Sequence, residues 1–133
     1  MAILSESTIV KENKEVTIYK LLNDSSTKDT SSTAVDVLDA SALTLLVETG
    51  TGVSAGAVTL EAARTSDYSG TWASLTTVKT DAASTTFMAT VSTTFMATVD
   101  DGDTIGSGVP YVRANISTGI TGGTIDVYLI VTR

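Results

Sequence analysis

Apolar and polar residues alternate with a period of two in segment after segment of this chain, which is the pattern of β-strands that bury one face. The clearest instance is residues 123–132. There Ile125, Val127, Leu129 and Val131 fall on one side, and Thr124, Asp126, Tyr128, Ile130 and Thr132 on the other. The first set is the expected core. Over residues 56–64, Val58, Leu60 and Ala62 oppose Thr59, Glu61 and Ala63, and over 111–117, Val112, Ala114 and Ile116 oppose Tyr111, Arg113 and Asn115. Further strands are expected at residues 7–11, 16–22, 34–38, 42–49 and 71–78. Stretches rich in Gly, Ser, Thr, Asn and Asp separate them, at 23–33, 50–56, 66–70, 100–108 and 118–123. One helical turn fits within 31–46. Eight or nine short strands with turns at this spacing predict an all-β fold. The expected form is an antiparallel two-sheet β-sandwich, jelly-roll-like, in a single domain over residues 1–133, with 1–14 as an N-terminal arm.

One segment breaks the even spacing. Residues 84–91 read STTFMATV, and residues 92–99 read the same eight residues again. Eight is even, so the duplication preserves alternation and keeps Phe87, Ala89, Val91, Thr93, Phe95, Ala97 and Val99 on one side of an extended chain. Sixteen extended residues would span roughly 53 Å, far beyond an ordinary strand, so the segment is expected to bend or to split near Val91 and Ser92. Two accounts fit. The extra copy is either a tolerated insertion in a loop or hairpin, or an extension of a sheet edge that pairs with a neighbouring subunit.

Composition narrows the chemistry. The chain has no Cys and no His, which removes disulfides, thiolate metal sites, the cysteine nucleophile and the usual general base near neutral pH. Ser and Thr make up about 30 per cent of it, and Thr and Val suit a pleated, half-buried surface. A net charge of −7 lacks the electrostatic footprint of a nucleic-acid binder. No basic region leads into a long apolar stretch at the N-terminus, and no run approaches the ~20 apolar residues of a membrane helix. The expectation is therefore a protein released into the cytoplasm of its producer, with neither nucleic acid nor membrane as partner.

Several constellations invite a chemical role, and each has a plainer one. Asp100, Asp101 and Asp103 suggest calcium, but the spacing lacks the alternating ligands and closing Glu of an EF-hand loop, which leaves a solvated turn. Asp36 and Asp39 form the kind of carboxylate pair that any acidic chain offers, a weak basis for glycoside hydrolysis. Trp72, with Tyr68 nearby, reads either as core or as a platform for sugar. Asn23-Asp24-Ser25 and Asn115-Ile116-Ser117 match the glycosylation sequon with no secretory signal beside them. The glycines of 119–123 suit a tight connection between the last two strands. No catalytic residue, cofactor site or metal site is expected, and the chain is not expected to be an enzyme. Tyr111, Arg113 and Tyr128 are the candidate interface residues, because Tyr and Arg concentrate at binding hot spots.

Four stretches together resemble small structural proteins of tailed bacteriophage particles, of the capsid decoration or cement type. They are Gly56-Ala57-Val58-Thr59-Leu60-Glu61; Asp67, Gly70, Thr71-Trp72 and Leu75; Tyr111-Val112-Arg113-Ala114-Asn115-Ile116; and Gly122-Gly123-Thr124-Ile125-Asp126-Val127-Tyr128-Leu129. The similarity covers roughly the C-terminal 80 residues and is interrupted by the duplication. It implies a β-sandwich that forms a dimer or trimer on the outer capsid surface, clamps neighbouring major capsid proteins and carries no catalytic residues or cofactor. Under this resemblance the polar stretch 23–33 is a flexible loop, and the arm docks or swaps between subunits. A head-to-tail connector, a tail or head-fibre component, and a carbohydrate-binding sandwich using Trp72 are the alternatives.

Overall fold

The computed structural model describes residues 8–12, 16–38, 40–92 and 111–133, and these contain nine strands and no helix. In chain order they are β1 (Thr8–Glu12), β2 (Val16–Ser25), β3 (Val35–Asp36), β4 (Ala42–Thr49), β5 (Ala55–Ala63), β6 (Ala73–Asp81), β7 (Thr86–Ser92), β8 (Tyr111–Thr121) and β9 (Ile125–Thr132). Five form one sheet in the order β1-β2-β9-β4-β7, and four form the other in the order β3-β8-β5-β6. Every pairing is antiparallel. From β2 onward, successive strands trace two interlocked Greek keys across the two sheets, which is the winding of a jelly roll. β1 adds a strand beside β2, so residues 8–12 of the expected arm pair within their own chain.

The alternation seen in the sequence is the alternation of burial. Ile125, Val127, Leu129 and Val131 of β9 are fully enclosed, facing Val112, Ala114 and Ile116 of β8 and Val58 and Leu60 of β5 in one continuous apolar core. Leu43, Leu45 and Val47 of β4 complete that layer. Thr80 on β6 is buried, and its hydroxyl has no hydrogen-bond partner among the described residues. An orphaned buried hydroxyl loses its water and gains nothing in return. Thr80→Val keeps the shape and removes the cost, so it is expected to raise the unfolding free energy by about 1 kcal/mol in urea denaturation.

Three expectations about turns are corrected. β2 runs through Asn23 and Asp24 to Ser25, because β9 supplies paired backbone as far as Ile125; Asp24 adopts a positive φ of 47° where the register shifts. β8 likewise continues to Thr121, opposite Ala55, and the turn is confined to Gly122 and Gly123. The polar stretch 23–33 is not a free loop. Its backbone is tied along β8 by bonds from Asp29 N–H to the Ile116 carbonyl (2.7 Å), from Ile116 N–H to the Thr30 carbonyl (2.9 Å), from Ser32 N–H to the Ala114 carbonyl (2.8 Å) and from Ile120 N–H to the Ser26 carbonyl (2.9 Å). No helical turn occurs within the described part of 31–46, where β3 and β4 lie instead.

The loop after β4 and the β8–β9 hairpin lock together at one end of the sandwich. Gly50 N–H donates to the Thr124 carbonyl and Ser54 N–H to the Thr121 carbonyl, both at 2.9 Å. Between those bonds Gly52 and Gly122 meet backbone to backbone with φ of 93° and 89°, an approach that leaves no room for a β-carbon on either.

Candidate functional site

The two outer faces of the sandwich differ in kind. On the four-stranded sheet, several outward residues are engaged with one another in polar contacts. Arg113 Nε donates to Glu61 Oε1 at 3.0 Å across the β8–β5 pair. Its guanidinium lies 4.2 Å from the centre of the Trp72 ring. Thr59, buried although it faces outward, is 2.9 Å from both the Thr77 and the Ser117 hydroxyls, and Ser31 donates to Asn115 Oδ1 at 2.9 Å. Trp72 is buried, but outside the core between the sheets. Its indole N–H donates to the Tyr68 carbonyl at 2.9 Å, and the two rings are tilted with centres 6.4 Å apart. With Arg113 over one face of the ring, Trp72 is not a free platform for a sugar.

The outer face of the five-stranded sheet has an apolar centre. The register sets residues in rows across the strands: Lys20, Tyr128, Leu46 and Met88 in one, then Ile18, Ile130, Thr44 and Thr90 in the next. Met88 is 62% exposed, while Ile18, Leu46, Tyr128 and Ile130 are half-buried. The Thr44 and Thr90 hydroxyls bond to each other at 3.0 Å, which leaves the centre of the face without an unpaired polar group between them. Charge gathers at one end of the face, where exposed Glu48 stands opposite Asp126 and Lys20 lies 3.7 Å from Asp126 and 5.6 Å from the centre of the Tyr128 ring.

The candidate interface residues are therefore divided. Tyr111 and Arg113 point outward from the four-stranded sheet and Tyr128 from the five-stranded one, so no flat partner touches all three. Arg113 is already engaged by Glu61 and Trp72. Tyr128 sits within the apolar face, together with Ile18, Leu46 and Met88, which sequence reasoning did not single out. Their common signal was a run of apolar residues at polar positions of the alternation, as at Leu46 and Ile130.

One recess of about 140 Å³ is lined by Asp24, Glu48, Thr49, Gly50, Thr124, Ile125 and Asp126, small beside the few hundred Å³ of a ligand pocket. Asp24 and Asp126 spend their carboxylates on local partners there, since Asp126 Oδ1 accepts from Asp24 N–H at 2.9 Å and Asp24 Oδ1 from the Thr124 hydroxyl at 3.4 Å. No group of three metal-ligating side chains occurs among the described residues. Asp39, Asp100, Asp101 and Asp103 lie outside the described residues, and with them the suggested carboxylate pair and the calcium loop.

No protein-family model matches the sequence, and neither does any curated protein. Solved structures do match in shape. The SPBc2 prophage-derived protein YomS superposes with a TM-score of 0.54 at 14% identity, over 95% of this chain and 100% of that one. The K1 cleaved adhesin domain of Lys-gingipain from Porphyromonas gingivalis W83 also gives 0.54, at 11% identity over 98% of this chain and 92% of that one. At such identities the likeness is one of fold, and it places the chain among β-sandwich proteins.

Proposed function

We propose that this chain is a non-catalytic structural protein of a bacteriophage particle that binds the outer surface of the capsid and stabilises it by bridging major capsid proteins. The observation that carries the reading is the apolar outer face of the five-stranded sheet, centred on Leu46, Tyr128 and Ile130 with Met88 exposed beside them. A sheet face of this composition is a docking surface for protein, since the polar rim lies at its edge and its centre has little to offer a sugar or a phosphate. The prophage origin of one fold neighbour accords with this reading.

Magnitudes favour a repetitive lattice over a solitary partner. Two rows across four strands cover roughly 260 Å², about a third of the area one partner contributes to a standard stable interface. One such contact is weak. Repeated around a symmetric shell, weak contacts add, and each copy that spans two capsid proteins raises the cost of separating them.

Co-sedimentation with capsids that lack the protein tests this. The wild-type chain is expected to pellet with them to saturation, and Leu46→Asp to lose at least ~10-fold in affinity while its circular dichroism is unchanged, as a buried unpaired charge at the centre of an interface costs that much or more. Undiminished binding by Leu46→Asp would contradict the use of this face.

A further inference from the structure

A β-sandwich has sheet edges, and an edge is a row of unpaired N–H and C=O groups that soluble proteins normally blunt with charges, bulges or irregular backbone. Three of the four edges here are blunted. β1 carries Lys11 and Glu12 and a register shift after Ile9. The edge of the four-stranded sheet beyond β8 is the irregular segment 26–36, with Lys28, Asp29 at a φ of 69° and Asp36. β6 carries Lys79 and Asp81, and its pairing with β5 shifts register at Glu61.

β7 has none of these devices. It reads TFMATVS, without charge or proline, and keeps unbroken register with β4 over its whole length. The direction of its free groups follows from the ladder. Thr49 N–H donates to the Thr85 carbonyl, so the bonded pairs with β4 fall on alternate residues, at Phe87, Ala89 and Val91. Thr86, Met88 and Thr90 accordingly turn their N–H and C=O groups to the outer edge. There the Ser84 hydroxyl accepts from Thr86 N–H at 3.2 Å and donates to the Thr86 carbonyl at 3.1 Å, while no described strand pairs with Met88 or Thr90.

We infer that the outer edge of β7, unpaired by any described strand, is a homodimer interface, at which β7 of one copy pairs antiparallel with β7 of a second copy about a two-fold axis through Met88. The strand is complementary to itself in that arrangement. Met88 faces Met88 of the partner subunit and the two exchange both backbone bonds, and Thr86 of each copy faces Thr90 of the other, where the pairing takes over the Thr86 groups from the exposed Ser84 hydroxyl. On the inner side Phe87 stands beside Ala89 of the opposite copy, large against small. On the outer side the exposed Met88 gains an apolar neighbour. The two-fold axis is perpendicular to the sheet, so the dimer is one continuous sheet whose two apolar outer faces point the same way. The pairing stands without the capsid reading, and only one consequence rests on it: a dimer would present both docking faces to the shell at once.

Sedimentation velocity of the full chain across a dilution series is the test. The wild type is expected to show twice the chain mass and to dissociate on dilution. Met88→Lys and Met88→Glu each set like charges directly opposite one another at the axis. Each alone is expected to require at least ~10-fold higher concentration to dimerise, and an equimolar mixture is expected to dimerise as a heterodimer. Both substitutions lie at an exposed position, so the monomer fold persists. Deletion of 92–99 leaves one STTFMATV and is expected to leave the dimer intact. A monomeric wild type at the highest soluble concentration would overturn the inference, as would charge variants that dimerise like the wild type. Loss of the dimer on deleting 92–99 would also overturn it, by assigning the interface to the second copy of the repeat.

Discussion

Leu129→Ala is expected to lower the unfolding free energy by about 3–5 kcal/mol. Leu129 is fully buried at the middle of β9, the central strand of the five-stranded sheet, opposite Tyr19 on one side and Leu45 on the other. Truncation there removes transfer energy and leaves a cavity that two paired neighbours cannot close, because β2 and β4 are both held to β9 by ladders of backbone bonds. Its neighbour Ile130 points to the opposite, outer face and is only half-buried. Ile130→Ala is therefore expected to cost less than half as much. Urea denaturation of both variants checks the contrast, and equal losses would contradict the assignment of the two faces.

The second large effect is at a turn. Gly122→Ala is expected to cost about 2–4 kcal/mol, from a left-handed backbone that penalises a side chain and from overlap of the new β-carbon with the Gly52 carbonyl oxygen. The overlap is with backbone, which has no rotamer to yield. Gly119 supplies the control. It has no positive φ, and the nearest atoms to a β-carbon there are 3.8 Å away, so Gly119→Ala is expected to change stability by less than about 0.5 kcal/mol, even though both glycines belong to the same Gly-rich stretch. A thermal melt of the two variants distinguishes the lock from general glycine flexibility.

Much of the fold was legible in the sequence because each strand buries one face and exposes the other. Period-two alternation then reports burial directly, as at Ile125 to Val131 and at Val112, Ala114 and Ile116. Strand ends were less legible. Asn23 to Ser25 and Thr118 to Thr121 have turn-forming composition, yet they extend as strands because a partner strand lies opposite and satisfies their backbone. That partner is distant in sequence, and local composition carries no trace of it.

The same distance hid the site. Alternation shows whether a residue points in or out of its own sheet, but it cannot show which sheet that is, so Tyr111, Arg113 and Tyr128 could not be divided between two faces without the strand order. The engagement of Arg113 by Trp72 and Glu61 depends on β8 lying beside β5, a pairing across some 50 residues. Whether β7 is a central or an edge strand was equally a matter of topology. Its sequence, free of charge and proline, was a signal only once the strand was known to be at an edge.

The copy number of the chain in purified particles tests the central claim most directly. Quantitative mass spectrometry of intact virions is expected to find it on the order of hundreds of times per particle, accessible to surface labelling, in keeping with a protein that occupies the symmetric lattice of the shell. Its absence from the particle, or its presence at roughly a dozen copies or fewer as in a head-to-tail connector, would contradict the account.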